Sequence, residues 1–391
     1  MKFRLSVYIW PIIAAAALLG GAFFYVNFSS RAEAAAIVET CKKEPDNMFC
    51  YEREVPKLYS SYSIPELFEF IREIRRLDPS YQFCHVLAHK LGEEAVAEDP
   101  SRWLDMIPLN PRDGMCSNGF IHGVIVGRFR NDTLDKETLE KTIPDLARAC
   151  EPRANWSPSS LDQAICYHGM GHLFMFITNA DMRLSLDTCA RISRSATGDF
   201  MRVCREGVFM QTYQPLEPDD FALLELLPEK PTKENYRRLC AAYANDPEEG
   251  ACLREAWPFF RTDILKGTGA ISFCSGQPTK EEEEMCYESA STIIGRQLLG
   301  NDEKASAACD ALPQKWQSIC YIAAAQALLE EDRATGKAAI SLCERGKNGV
   351  ADTCLKTLAM RANWIFSSGA AEKDAFCEAL PRFKEECDRR R

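Results

Sequence analysis

Histidine is the side chain whose placement in this sequence carries the most chemistry. The chain has five: His85, His89, His122, His168 and His172, all within 88 residues. Each follows a cysteine by one to six positions, and alignment on those cysteines puts them in register. Cys116-Ser-Asn-Gly-Phe-Ile-His-Gly, Cys166-Tyr-His-Gly-Met-Gly-His and Cys204-Arg-Glu-Gly-Val-Phe-Met share glycine at the third position, namely Gly119, Gly169 and Gly207. The second position carries Asn118, His168 and Glu206; the sixth carries His122, His172 and Met210. Cys84-His-Val-Leu-Ala-His is offset by one, placing His85 and His89 at the first and fifth positions.

Residues four apart share one face of a helix, and equivalent positions of stacked repeats line one ridge. The five rings are therefore expected to meet in one patch that holds one metal ion or two. Asn118, Glu206 and Glu93 are expected beside it as supports or further ligands. A histidine in the first turns of a helix meets the positive end of the macrodipole, which disfavours imidazolium; neutral imidazole is the form that binds metal. Such a donor set suits zinc, copper or iron without choosing among them, and also non-covalent haem. Covalent c-type haem is not expected, because no C-x-x-C-H occurs. Glycine inside a helix costs about 1 kcal/mol against alanine, so its recurrence at the third position predicts close backbone approach or a helix break. Two other uses of the histidines stand open: packing between helices against backbone carbonyls, and acid–base chemistry without metal. No H-E-x-x-H, P-loop or G-x-S-x-G is present, so no familiar enzyme class is indicated and no catalytic residue is assigned.

The elements that must position these rings are written in the cysteines. Eighteen of them fall into nine close pairs: Cys41/Cys50, Cys84/Cys116, Cys150/Cys166, Cys189/Cys204, Cys240/Cys252, Cys274/Cys286, Cys309/Cys320, Cys343/Cys354 and Cys377/Cys387. From Cys252 the second member recurs at Cys286, Cys320, Cys354 and Cys387, in steps of 34, 34, 34 and 33. That period marks stacked helical hairpins. Each unit reads as two helices, with one cysteine late in the first and the other opening the second, as in Cys286-Tyr-Glu-Ser-Ala-Ser-Thr-Ile-Ile-Gly and Cys320-Tyr-Ile-Ala-Ala-Ala-Gln-Ala-Leu-Leu. Nearest-neighbour disulfides across each turn are expected for eight pairs. Cys84 and Cys116 lack an obvious late-helix partner; they either bridge adjacent repeats or act as thiolate ligands beside His85 and His122. Upstream of residue 240 the steps lengthen, with insertions expected at 130–146 and 213–233.

The pattern resembles Sel1/TPR-type helical arrays, well over residues 240–391 and loosely over 41–239. The resemblance implies a right-handed αα superhelix and a protein- or peptide-binding concave face. The expected fold is thus an all-α superhelical solenoid of about 34-residue αα hairpins stapled by disulfides, preceded by one transmembrane helix.

Lys2 and Arg4 precede an apolar run from about residue 7 to 28. About 20 apolar residues suffice to cross a bilayer, so 7–28 reads as an anchor or uncleaved signal, although Ala32-Glu33-Ala34 also fits a cleavage site. The flanking charges leave 1–6 in the cytoplasm and send the repeats to the periplasm or extracellular space, where disulfides persist. The formal charge of −10 offers no nucleic-acid footprint, and Glu281–Glu284 reads as a solvated helix start. Two functions remain: an exported, membrane-anchored repeat protein with a histidine metal centre, or a protein-binding scaffold whose histidines are structural.

Overall fold

A computed structural model describes residues 31–44, 49–81, 84–129, 136–194, 198–216, 218–244 and 248–389. The described residues are helical or irregular, without named strands. The expected segments 1–6 and 7–28 lie outside them. Among the described residues no helix is long and apolar enough to cross a membrane.

The chain divides into two units, 1–87 and 88–391. In the first, the Cys41–Cys50 bridge joins a helix over 31–43 to the short helix Cys50–Glu54. Helix α1 (Ile64–Leu77) starts at a capping box, in which Ser63 and Glu66 satisfy each other's backbone N–H groups. Its apolar stripe of Leu67, Phe68, Ile71 and Ile74 is buried, as its spacing requires. Tyr51 donates a hydrogen bond to Asp78 (2.8 Å) and Tyr81 to Glu52 (2.8 Å), while the two rings pack at 4.4 Å.

The second unit is built of hairpins. The helices that carry the argument are α2 (His85–Ala97), α3 (Gly119–Phe129), α4 (Lys136–Ala149), α5 (Ser160–Ile177), α6 (Met182–Ile192), α7 (Met201–Tyr213), α8 (Glu248–Glu255), α9 (Lys280–Gln297), α10 (Gln314–Glu331) and α11 (Val350–Ile365). Disulfides pin the α4/α5 and α6/α7 hairpins, and every later hairpin carries its own. Their Cα atoms lie 5.5–5.7 Å apart, the ordinary span of a disulfide. All eight expected bridges are present. Each closes a loop of 9–16 residues, worth about 3 kcal/mol in the chain-entropy model.

The details differ from the expected unit in three ways. The second cysteine of several pairs sits one to two turns inside its helix, as Cys286 in α9 and Cys320 in α10 do, because a first turn precedes it. Glu281, Glu282 and Glu283 form such a turn behind the Thr279 cap, but Glu282 is not merely solvated: it pairs with buried Arg254. Residues 136–146, expected to belong to the insertion at 130–146, lie in the first helix (Lys136–Ala149) of the Cys150–Cys166 hairpin.

The array also does not end as an open superhelix. The second helices pack in succession, α5 on α7, α7 on α8, α8 on α9, α9 on α10 and α10 on α11, and α11 returns to α5. Arg333, 3 % exposed, locks that closure. Its guanidinium pairs with Asp162 at 2.5 Å and donates to the carbonyls of Arg112 (2.8 Å) and Ile365 (2.8 Å). Ser117 donates to Glu331 across the same seam. The core from Ile264 to Cys387 accordingly includes Leu161 of α5.

Candidate metal centre

The histidines ride on helices that approach unusually closely, and glycine is the reason. A Cβ on Gly123 of α3 would run into the carbonyl of His89, and one on Gly92 of α2 into the carbonyl of Phe120. One turn of the array later, Gly171 of α5 faces the carbonyl of Cys204, and Gly207 of α7 faces that of His168. In each case the added atom would come inside 3.0 Å, which real side chains do not tolerate. Gly169 has a different neighbour: it leaves the room that the His122 ring fills. The expectation of close backbone approach thus holds at Gly207, whereas at Gly169 the space is filled by a side chain. Gly119 instead begins α3, directly after Cys116, Ser117 and Asn118, which all have positive φ (61°, 50° and 53°). Cys116 therefore begins a left-handed run rather than opening a helix.

This close packing brings the imidazoles together. Ring centroids lie 5.3 Å apart for His89–His122, 6.1 Å for His122–His168, 5.8 Å for His122–His172 and 4.9 Å for His168–His172. His122, 2 % exposed, is the hub. His85 lies one helical turn before His89 on the same helix. The ligand-capable nitrogens of His85, His89 and His122 lie within 4.8 Å of one another. Nitrogens around a tetrahedral zinc ion stand about 3.4 Å apart, so small ring rotations separate this triad from a coordinating one. A histidine triad of this kind could hold a metal ion.

Hydrogen bonds decide which nitrogen of three rings carries the lone pair. His122 Nε2 lies 2.7 Å from the carbonyl of Ile165; a carbonyl only accepts, so Nε2 carries the proton and, in neutral imidazole, Nδ1 the lone pair. His172 Nδ1 lies 2.7 Å from Gln211 Oε1, and Gln211 Nε2 donates to Asp220 at 2.6 Å. That donation fixes the amide, so His172 Nδ1 is the donor and Nε2 the lone-pair atom. His168 Nδ1 donates to the carbonyl of Val203 at 3.1 Å, which leaves its lone pair on Nε2. One nitrogen held by a carbonyl or amide, the other left as a donor atom, is the arrangement that orients metal-binding histidines. Burial, the neighbouring His172 and the Arg296 charge hold the His168 pKa well below the usual histidine range, so this ring stays neutral.

The other expected members of the patch have partners of their own. Asn118 accepts from Asn110 at 2.5 Å, tying the chain before α3 together. Glu206 is engaged by Arg202 (2.9 Å) and by fully buried Arg254 (3.0 Å), and Glu93 pairs with Lys90 on its own helix (3.2 Å). Cys84 and Cys116 are both disulfide-bonded and no cysteine is free, so neither is a thiolate ligand; with all eighteen oxidised, the chain carries nine bridges. Sequence reasoning missed the Asp220–Gln211–His172 relay, since neither residue lies in the cysteine register, and it missed Gly92, Gly123 and Gly171. The last three were visible as glycines within helical patterns, the signal for close backbone approach.

No family model matches this sequence, and neither the curated proteins nor the solved structures contain a match.

Proposed function

We propose that the chain is an exported metal-binding protein whose ion is held by His85, His89 and His122, with His172 the next imidazole in reach. The observation that carries this reading is the convergence of three ligand nitrogens within 4.8 Å. The proton on His122 Nε2, committed to Ile165, supports it by aiming Nδ1 as the donor. Three nitrogens leave a fourth position for water or substrate, the form of zinc site that does chemistry rather than the closed structural form. Zinc, copper and iron all accept such donors. Non-covalent haem is the weaker fit, since a macrocycle would need space between helices that touch through glycine.

The setting follows from the cysteines and the N-terminus. Nine disulfides need an oxidising compartment, and Lys2, Arg4 and the apolar run 7–28 would anchor the chain with its repeats on the periplasmic or extracellular side. A specific observation favours a second reading: His122 and His168 each donate to a backbone carbonyl, as purely structural histidines do. On that reading the Sel1/TPR-like repeats bind a protein or peptide partner at the membrane surface. Metal analysis of the purified full chain separates the two. One equivalent of a transition metal, lost in His122→Ala with helical content unchanged, is the expected result. A chain that takes up none after reconstitution with zinc, cobalt or copper is a scaffold.

A further inference from the structure

Met210 occupies, in the cysteine register, the position that His122 and His172 hold in the preceding repeats. In the folded chain its Sδ stands 3.2 Å from His168 Nε2. That contact would be an ordinary N–H···S hydrogen bond if Nε2 carried a proton. It does not in the neutral ring, because the single proton is committed at Nδ1 to the Val203 carbonyl. The nitrogen lone pair and the thioether lone pairs thus face each other with no hydrogen between them.

We infer that His168 Nε2 and Met210 Sδ form a second cation site, selective for a soft monovalent ion of the Cu(I)/Ag(I) class. A thioether is a soft donor that prefers Cu(I), whereas the nitrogen triad around His122 suits divalent ions. The thioether swings about its terminal torsions to admit the ion, a motion that methionine makes at little cost. His172 stands beside this pair, its ring centroid 4.9 Å from that of His168, and its relay through Gln211 to Asp220 leaves Nε2 as the lone-pair atom. It is the third donor. Both His168 and Met210 are partly buried. The inference does not rest on the first centre, since the two share no required ligand.

Silver titration of the full chain with its disulfides intact tests it, Ag(I) being a redox-inert probe with the preferences of Cu(I). Wild type is expected to bind one equivalent with a sulfur scatterer in its X-ray absorption spectrum. Met210→Leu conserves volume; it should lose the sulfur shell and weaken silver binding by at least about tenfold, the lower range for damage to a metal site, while zinc uptake stays unchanged. His122→Ala should do the reverse. Silver binding that is equal in Met210→Leu and wild type, or a silver shell of nitrogen alone, overturns the inference whatever the zinc result.

Discussion

The stack from α2 to α7 and the stack from α9 to α11 use one hairpin plan to different ends. In both, a disulfide fixes the turn and a long second helix packs on the next. In both, glycine sets a close crossing: Gly295 of α9 meets the carbonyl of Ala324 as Gly123 meets that of His89. Around the later crossing the side chains are alanine, leucine and isoleucine, with Ala324, Ala325, Leu328 and Leu358 fully or almost fully buried. Around the earlier ones they are imidazoles. A seam of this plan also packs with small apolar residues, so stacking the hairpins does not by itself call for imidazoles. Their cost is that buried polar rings must find partners, and carbonyls of Ile165 and Val203 provide them.

The largest effect should come from breaking what joins the two stacks. Arg333→Met removes the partner of Asp162 and the cap on two carbonyls at the ring closure. Unpairing a buried ion costs about 3–5 kcal/mol, and denaturant titration should show a loss of that order. Loss below 1 kcal/mol would mean that α11 and α5 are joined by apolar packing alone.

Next come paired glycine variants. Gly123→Ala and Gly295→Ala each push a Cβ into a backbone carbonyl and should destabilise by about 1–3 kcal/mol, the usual range for overpacking. Only Gly123→Ala should also lower the affinity for metal, because it displaces His89 relative to His122. Equal metal binding by the two variants would erase the functional distinction between the stacks.

The smallest effect is a pH dependence beside the first stack. Burial and the nearby Glu206 charge push Glu255 up to about 8 from 4.5, with Arg254 and a hydrogen bond from Gln214 opposing. Between those values the folded chain holds a proton that the unfolded chain has released. Stability from this group therefore falls as pH rises from about 4.5 to about 8. Glu255→Gln should match wild type near pH 4 and be the more stable protein above pH 8. Parallel curves for the two proteins would place Glu255 in a less buried, better paired setting.

Much of this architecture is legible in the residue order. Eight disulfides follow from spacing because each loop spans one turn, and a short loop leaves its cysteines few alternatives. The convergence of the histidines follows from their shared register after Cys84, Cys116 and Cys166, since equivalent positions of stacked helices must align. Which cations Glu206 and Glu93 meet was not legible for a physical reason: Arg254, Arg202 and Lys90 are set by packing rather than by register. Ring closure was equally hidden. The angle between successive hairpins decides whether a solenoid runs on or returns, and that angle is set by small differences in side-chain volume at every seam.

The sequence by itself determined the helical hairpins, their staples and the clustering of five imidazoles, because these depend on local period and covalent reach. Only the tertiary structure decided that Arg333 seals the array, that Gln211 and Asp220 orient His172, and that Met210 faces the lone pair of His168. Those outcomes depend on which donor meets which acceptor across helices dozens of residues apart, a choice made by packing and desolvation rather than by the order of residues along the chain.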